Sequence, residues 1–158
     1  MKKLILIMAL TATNCFAGEW TFSKGEFSAD SFYTARFSGS FDQPEQGVGF
    51  GVGYAITRNL VAQVRGVSYN DASELVNEVS GRLSFRAPLS IISNKLAPYA
   101  FLEGGSGLQS GVGFGGAGGG IEWRPIWKQL GLFAEADLRL DTEWTTSIGV
   151  NGGLRLQF

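Results

Sequence analysis

Six arginines and four carboxylates occupy the polar positions of alternating apolar stretches in this chain: Arg36, Arg65, Arg82, Arg86, Arg139 and Arg155, with Glu103, Glu122, Glu135 and Asp137. Guanidinium forks and carboxylates match each other geometrically, so these residues can satisfy one another as a buried ion-pair network. Alternatively, a pair such as Glu135 and Asp137 can act as acid and base in a hydrolase. Their i, i+2 spacing puts both on one strand face beside Arg139, which an ion-pair ladder explains without catalysis. Other catalytic options are narrow. The chain has no histidine, and its single cysteine is Cys15, inside the expected signal peptide. A mature chain of this kind cannot assemble a Ser-His or Cys-His pair, and its metal options shrink to oxygen ligands. No enzyme activity and no cofactor are expected.

The positioning elements read as strands. From residue 32 the chain divides into eight alternating segments, each long enough for a tilted membrane-spanning strand. They run about Phe32–Phe41, Gly47–Thr57, Leu60–Tyr69, Glu78–Ala87, Tyr99–Leu108, Gly111–Trp123, Gly131–Asp141 and Thr145–Phe158. The last is the cleanest, with Ile148, Val150, Leu154, Leu156 and Phe158 on one parity and Ser147, Asn151, Arg155 and Gln157 on the other. The sixth is ambiguous: Val112 and Phe114 oppose the parity of Ile121 and Trp123, so either a bulge shifts the register or Phe114 points inward over glycines. GFGGAGGG (Gly113 to Gly120) lacks a following helical period, so a phosphate cradle is weak; glycine faces admitting large neighbours such as Tyr99 or Phe133 account for it better.

Alternation alone does not say which face looks outward, and a soluble barrel of the lipocalin kind would put the apolar face inside. The polar face balances arginines against acids and has no lysine. Lys24, Lys95 and Lys128 all fall outside the strands. A crowded interior favours paired guanidinium groups, so the charged face is assigned to the lumen and the apolar face to lipid. Eight strands enclose just enough space for side chains to fill.

Met1 to Ala17 has two lysines, a short apolar run and a small residue at the cleavage point, which is a signal-peptide pattern. The run is too short for a spanning helix. Asn14 before Cys15, and no leucine in the lipobox position, speak against an acylated cysteine. The domain reading is a signal peptide at 1–17, an N-terminal segment at 18–31 and a barrel at 32–158. Segment 18–31 could extend the first strand, lie in the periplasm, or form an interfacial segment. Without Lys2 and Lys3 the basic count falls from 13 to 11 against 14 acids, which leaves about minus three and argues against nucleic-acid binding.

GVGFGVGYAITRNLVAQVRGVSY (Gly47 to Tyr69), with its Gly/aromatic strand, Arg-Asn turn and returning strand, resembles the hairpins of small OmpA/OmpX-like outer-membrane barrels, and the ending LRLQF is similar to theirs. The resemblance implies an all-β, eight-stranded, antiparallel up-and-down transmembrane barrel in the outer membrane of a Gram-negative cell, with Phe158 as an assembly signal. It implies outer-membrane lipid and lipopolysaccharide as surroundings, and the barrel-assembly machinery as a partner during insertion. It also implies a non-enzymatic role in envelope integrity or surface interaction; a small-solute channel and a lipid-modifying enzyme are the alternatives, although barrels of the latter kind use a histidine. Both termini would lie in the periplasm.

The acids Asp42, Glu45, Asp71, Glu74, Glu78, Asp141 and Glu143 would then gather at the outer end, and Arg58, Lys95, Arg124 and Lys128 at the inner one. Cation bridging to lipopolysaccharide would use those acids, although ordinary loop solubility accounts for them. Aromatic girdles are expected at the two interfaces: Tyr54, Phe85, Tyr99, Trp123, Trp127 and Phe158 below, with Phe41, Tyr69 and Trp144 above.

Overall fold

The computed structural model describes residues 24–39, 44–71, 74–87, 96–124 and 129–158. The expected signal peptide, the turn at 88–95 and the residues Phe41, Asp42, Trp127 and Lys128 lie outside them. Eight strands follow in chain order: β1 Phe27–Ser38, β2 Glu45–Ala55, β3 Leu60–Asp71, β4 Glu74–Arg86, β5 Leu96–Gly107, β6 Gly113–Trp123, β7 Leu130–Asp141 and β8 Thr146–Gln157. Each pairs antiparallel with its sequence neighbour, and β1 pairs with β8, giving a closed up-and-down barrel without sheet edges.

Residue type follows the pleat. Along β2, Val48, Phe50, Val52 and Tyr54 face outward, while Gly47, Gly49, Gly51, Gly53 and Ala55 face inward. Along β7, Leu132, Leu138 and Leu140 are exposed, whereas Phe133, Glu135, Asp137 and Arg139 are buried. The exterior is thus an apolar belt and the interior holds nearly every charged strand residue, the inverse of a water-soluble barrel. At the end carrying Phe27 and Phe158 the belt is edged by these two residues with Tyr54, Phe85 and Trp123, all exposed.

Two expectations are corrected and one open alternative is decided. β1 starts at Phe27 rather than Phe32, so the last residues of segment 18–31 belong to the barrel wall and bring Asp30 inside. Tyr99 and Tyr69 are not girdle residues; both lie on the inward parity and are buried. The parity conflict in β6 is resolved without a bulge. Its register with β5 and β7 is continuous, and Phe114 points inward beneath Arg139.

Glycine makes the room for inward rings. A Cβ on Gly47 would lie 2.9 Å from Tyr69 Cδ1, one on Gly118 2.5 Å from Phe101 Cζ, and one on Gly120 2.9 Å from Tyr99 Cζ. The large neighbours of the β6 glycines are therefore Phe101 and Tyr99; Phe133 instead faces Phe32, with ring centroids 6.3 Å apart. Phe32 itself is clamped between Gly49 and Gly153, where added Cβ atoms would overlap its side chain. Gly49→Ala is expected to destabilise the folded barrel by about 1 to 3 kcal/mol, because the ring has nowhere to move. Outward-facing Gly81 has nothing within 4 Å, so Gly81→Ala should leave reversible unfolding in urea unchanged.

Candidate functional site: the filled lumen and its mouth

Inward side chains form a continuous ionic column. Nearest the end that carries Phe27 and Phe158, Arg155 grips Asp30 bidentately, Nε to Oδ1 and Nη2 to Oδ2, both at 2.6 Å. Its Nη1 donates to Glu122 Oε2 at 2.8 Å. Glu122 is also met by Arg86 Nη1 and Arg124 Nη2, each at 2.6 Å. Gln63 donates to Asp30 at 2.8 Å.

At mid-height Glu135 is the hub. It accepts from Arg65 Nη1 at 2.8 Å, Arg82 Nη1 at 2.7 Å, Tyr99 Oη at 2.8 Å and Asn151 Nδ2 at 3.2 Å. Arg82 turns its other edge to Glu103, with Nε to Oε2 at 2.9 Å, and Ser80 Oγ donates to Glu103 Oε1 at 2.6 Å. Above this, Arg139 Nε donates to Asp137 Oδ1 at 2.9 Å and its Nη1 to Glu78 Oε2 at 3.2 Å. Arg36 closes on the same glutamate with Nη1 to Oε1 at 2.7 Å, and donates to Tyr69 Oη at 2.6 Å.

Aromatic rings back the guanidinium groups. Arg65 lies 3.7 Å over Phe32, Arg82 3.6 Å over Phe101, Arg36 4.1 Å over Tyr69, and Arg155 and Arg139 4.8 Å over Phe133 and Phe114. Arginine suits such a site, because its edge donates to carboxylates while its face stacks on π-density. The order outward from a carboxylate is guanidinium, ring and, for several rings, a glycine-lined wall. Small inward residues also give room to the acids: a Cβ on Gly149 would lie 2.7 Å from the Asp137 carboxylate, and one on Gly131 2.8 Å from that of Glu122.

All ten charged residues picked out in the sequence face the lumen and join this column. Further residues join it that were not among them, including three charged ones and Tyr99. Asp30 falls in segment 18–31, whose place the sequence leaves open, Glu78 is expected at the outer acidic rim and Arg124 in a turn, whereas all three are ion-paired inside. Tyr99 was assigned to a girdle. Parity was the available signal: Asp30 matches Thr34 and Arg36, Glu78 matches Ser80 and Arg82, and Tyr99 matches Glu103.

Above the Arg36–Glu78–Arg139 layer, at the end opposite Phe27 and Phe158, the lumen opens into a cavity of about 500 Å³. Ser38, Thr145 and Ser147, with the acids Glu45, Asp141 and Glu143, are among the residues that line it. The β7–β8 hairpin is locked by Asp141 Oδ1, which accepts from the backbone amides of Glu143 at 2.9 Å and Thr145 at 2.8 Å. Trp144 in this turn has φ 65° and is 81 % exposed. Glycine is the usual occupant of such a left-handed hairpin position; a side chain there costs roughly 1 to 2 kcal/mol.

Comparison with known proteins sets this geometry in context. No family model and no curated protein sequence matches the chain. Among solved structures, it matches the N-terminal β-barrel domain of Pseudomonas aeruginosa OprF with a TM-score of 0.65 and 15 % identity, covering 87 % of this chain and 100 % of that one. Its fold is that of the small eight-stranded outer-membrane barrels. Neisserial surface protein A follows at TM-score 0.62 and 15 % identity over 86 % of this chain and 98 % of that one. A de novo designed transmembrane β-barrel matches at 0.58 and 18 %, over 87 % and 99 %. These likenesses establish the fold.

The hub residue gives the sharpest energetic expectation. Glu135→Gln removes the counter-ion shared by Arg65 and Arg82 while keeping the side chain's shape, so it should cost about 3 to 5 kcal/mol, the scale for breaking a buried pair. Glu45, 3.7 Å from Arg36 with a side chain 37 % exposed, should cost under about 1 kcal/mol when changed to Gln. Equilibrium urea unfolding of the refolded barrels in detergent or lipid measures both.

Proposed function

We propose that the protein is a non-enzymatic outer-membrane barrel that contributes to envelope integrity or surface interaction. The single observation that supports this reading is the division of faces, with an apolar belt outside and a closed column of ion pairs inside. Such a molecule places its stability in its interior and its interaction area on its wall. Outer-membrane lipid and lipopolysaccharide are the surroundings this wall suits, and the barrel-assembly machinery is the partner that inserting such a wall would require. The connections between strands at the mouth are short: Asp71 and Glu74 bound one of them, and Asp141 and Thr146 another. Short connections leave little sequence for a large recognition surface.

The channel reading is less well supported. The mouth cavity stops at the Arg36–Glu78–Arg139 layer, and the Glu135 hub and the Glu122 cluster lie below it. In a planar bilayer, such a column supports only rare, small conductance steps.

The test combines location with phenotype. Cell fractionation should place the protein in the outer membrane with heat-modifiable migration on gels, and its loss should raise sensitivity to detergent and chelator. Leu138→Arg puts a lone charge on the apolar belt, at about 2 to 4 kcal/mol if near the midplane. It should fail to restore resistance, whereas Leu138→Ala should restore it. Recovery of the protein as a soluble periplasmic barrel would refute the proposal.

A further inference from the structure

The apolar belt is not level around the barrel. We infer that the outer faces of β2, β3, β4 and β5 near the mouth are a contact surface for the hydrated headgroup layer of the lipids, so that the hydrocarbon boundary lies lower on this side than on β7 and β8. The inference rests on the outer-membrane reading above.

Residue type marks the surface. Its outward positions hold Gln46 opposite Asn70, Ser68 opposite Asn77, and Ser106. On β7 and β8 the outward positions near the mouth hold Leu138, Leu140 and Ile148, all exposed.

Level is read from the register. Following paired residues round the closed sheet, from Pro98 by way of Tyr33 to Asn77, returns to β5 beside Leu108, ten residues above the start. Each step to the next strand in chain order therefore climbs a little more than one residue, about 3 Å along the barrel axis. On that scale Ser106 stands level with Ile148, and Asn77 with Leu140. A flat boundary across the barrel axis would either leave the two apolar residues in water or immerse the polar ones in hydrocarbon. A boundary lowered on one side does neither.

Hydrogen bonding decides what covers the polar side. Ser68 Oγ donates to Asn77 Oδ1 at 2.6 Å, and Ser106 Oγ to the Gly107 carbonyl at 3.2 Å, so the wall itself uses those hydroxyl hydrogens. The side-chain N–H groups of Asn77 have no acceptor among the described residues, and Gln46 and Asn70 are exposed. Hydrocarbon offers no acceptor, so an amide immersed there keeps unsatisfied donors. Asparagine also lacks the long stem by which lysine or arginine reaches back to an interface. Leu75 and Leu108 stand above this band, 67 % and 66 % exposed. Drawing the hydrocarbon up to cover them would immerse the amides, and an unpaired amide loses more there than a leucine gains.

Spin labels on single cysteines test the inference in the full chain, with Cys15→Ser as background, refolded into dimyristoylphosphatidylcholine vesicles. Collisions of the label with oxygen, which concentrates in hydrocarbon, are compared with those of a neutral nickel chelate, which favours water. The oxygen-to-nickel ratio should be severalfold lower at Ser106→Cys than at Ile148→Cys, and at Asn77→Cys than at Leu140→Cys. Gln46→Cys, on a third strand, should give a low ratio as well. Heat-modifiable migration confirms that each labelled barrel is folded, and with three polar strands sampled the comparison survives the loss of one variant. Equal ratios within both level pairs would overturn the inference and leave the membrane reading in place. Low ratios at every site, Leu138→Cys included, would overturn both. Labels at Asn77→Cys and Ser106→Cys shielded from both reagents would place a second copy of the chain against the wall, and would overturn the headgroup contact.

Discussion

A charge inside a narrow barrel has no water to retreat to, and this constraint organises the molecule. Each buried carboxylate must be met by donors on several sides, and each guanidinium must be met at its edge and covered on its face. The chain does this with one repeated arrangement, in which a carboxylate holds a guanidinium that lies on an aromatic ring. Eight strands leave too little width for that arrangement unless part of the wall recedes. β2 and β6 are four places apart in the closed order, so they stand on opposite sides of the lumen. Both line it largely with glycine. The glycines that make the sequence look loose are what allow the interior to be dense.

Much of this was legible in the residue pattern, because the period-2 signal depends only on the pleat. The strand number, the outward set in β8 and the inward placement of Arg82, Glu135 and Arg155 all follow from parity. Residue type misleads where it conflicts with parity. Tyr69 and Tyr99 suggest an interface because tyrosine is common there, although each shares the parity of a luminal charge. Glu78 and Arg124 stand at or just past the ends of the strands expected from the sequence, where position suggests a rim and a turn although parity points inward. Asp30 lies in segment 18–31, whose relation to the first strand the sequence leaves open. Which carboxylate meets which guanidinium was beyond sequence reasoning, since partners such as Arg155 and Asp30 lie at opposite ends of the chain and meet only through barrel closure.

The electrostatic design has two zones. Within the column, positive and negative groups nearly cancel, and every acid named there accepts from arginine, tyrosine, serine or amide donors. At the mouth the cancellation stops, leaving acids on the rim and a strained tryptophan beside them. The first zone is what an apolar exterior requires of its interior. The second has no such requirement to meet, and sequence there is free to serve contacts made outside the barrel.

The column also acts as a check on strand register. A slip of one residue turns every side chain to the wrong face, and the belt alone penalises it. A slip of two restores the faces and would pass any test based on hydrophobicity. It would nonetheless carry each carboxylate roughly 7 Å along the strand from its partner, past the reach of a hydrogen bond and onto the wrong ring. Arg155 on β8 reaches Asp30 on β1 only in the observed alignment of the closing strands, where Arg155 stands opposite Asp30. The interior therefore reads the alignment of the first and last strands against one another, and a misregistered barrel is left with unmatched charge at its centre.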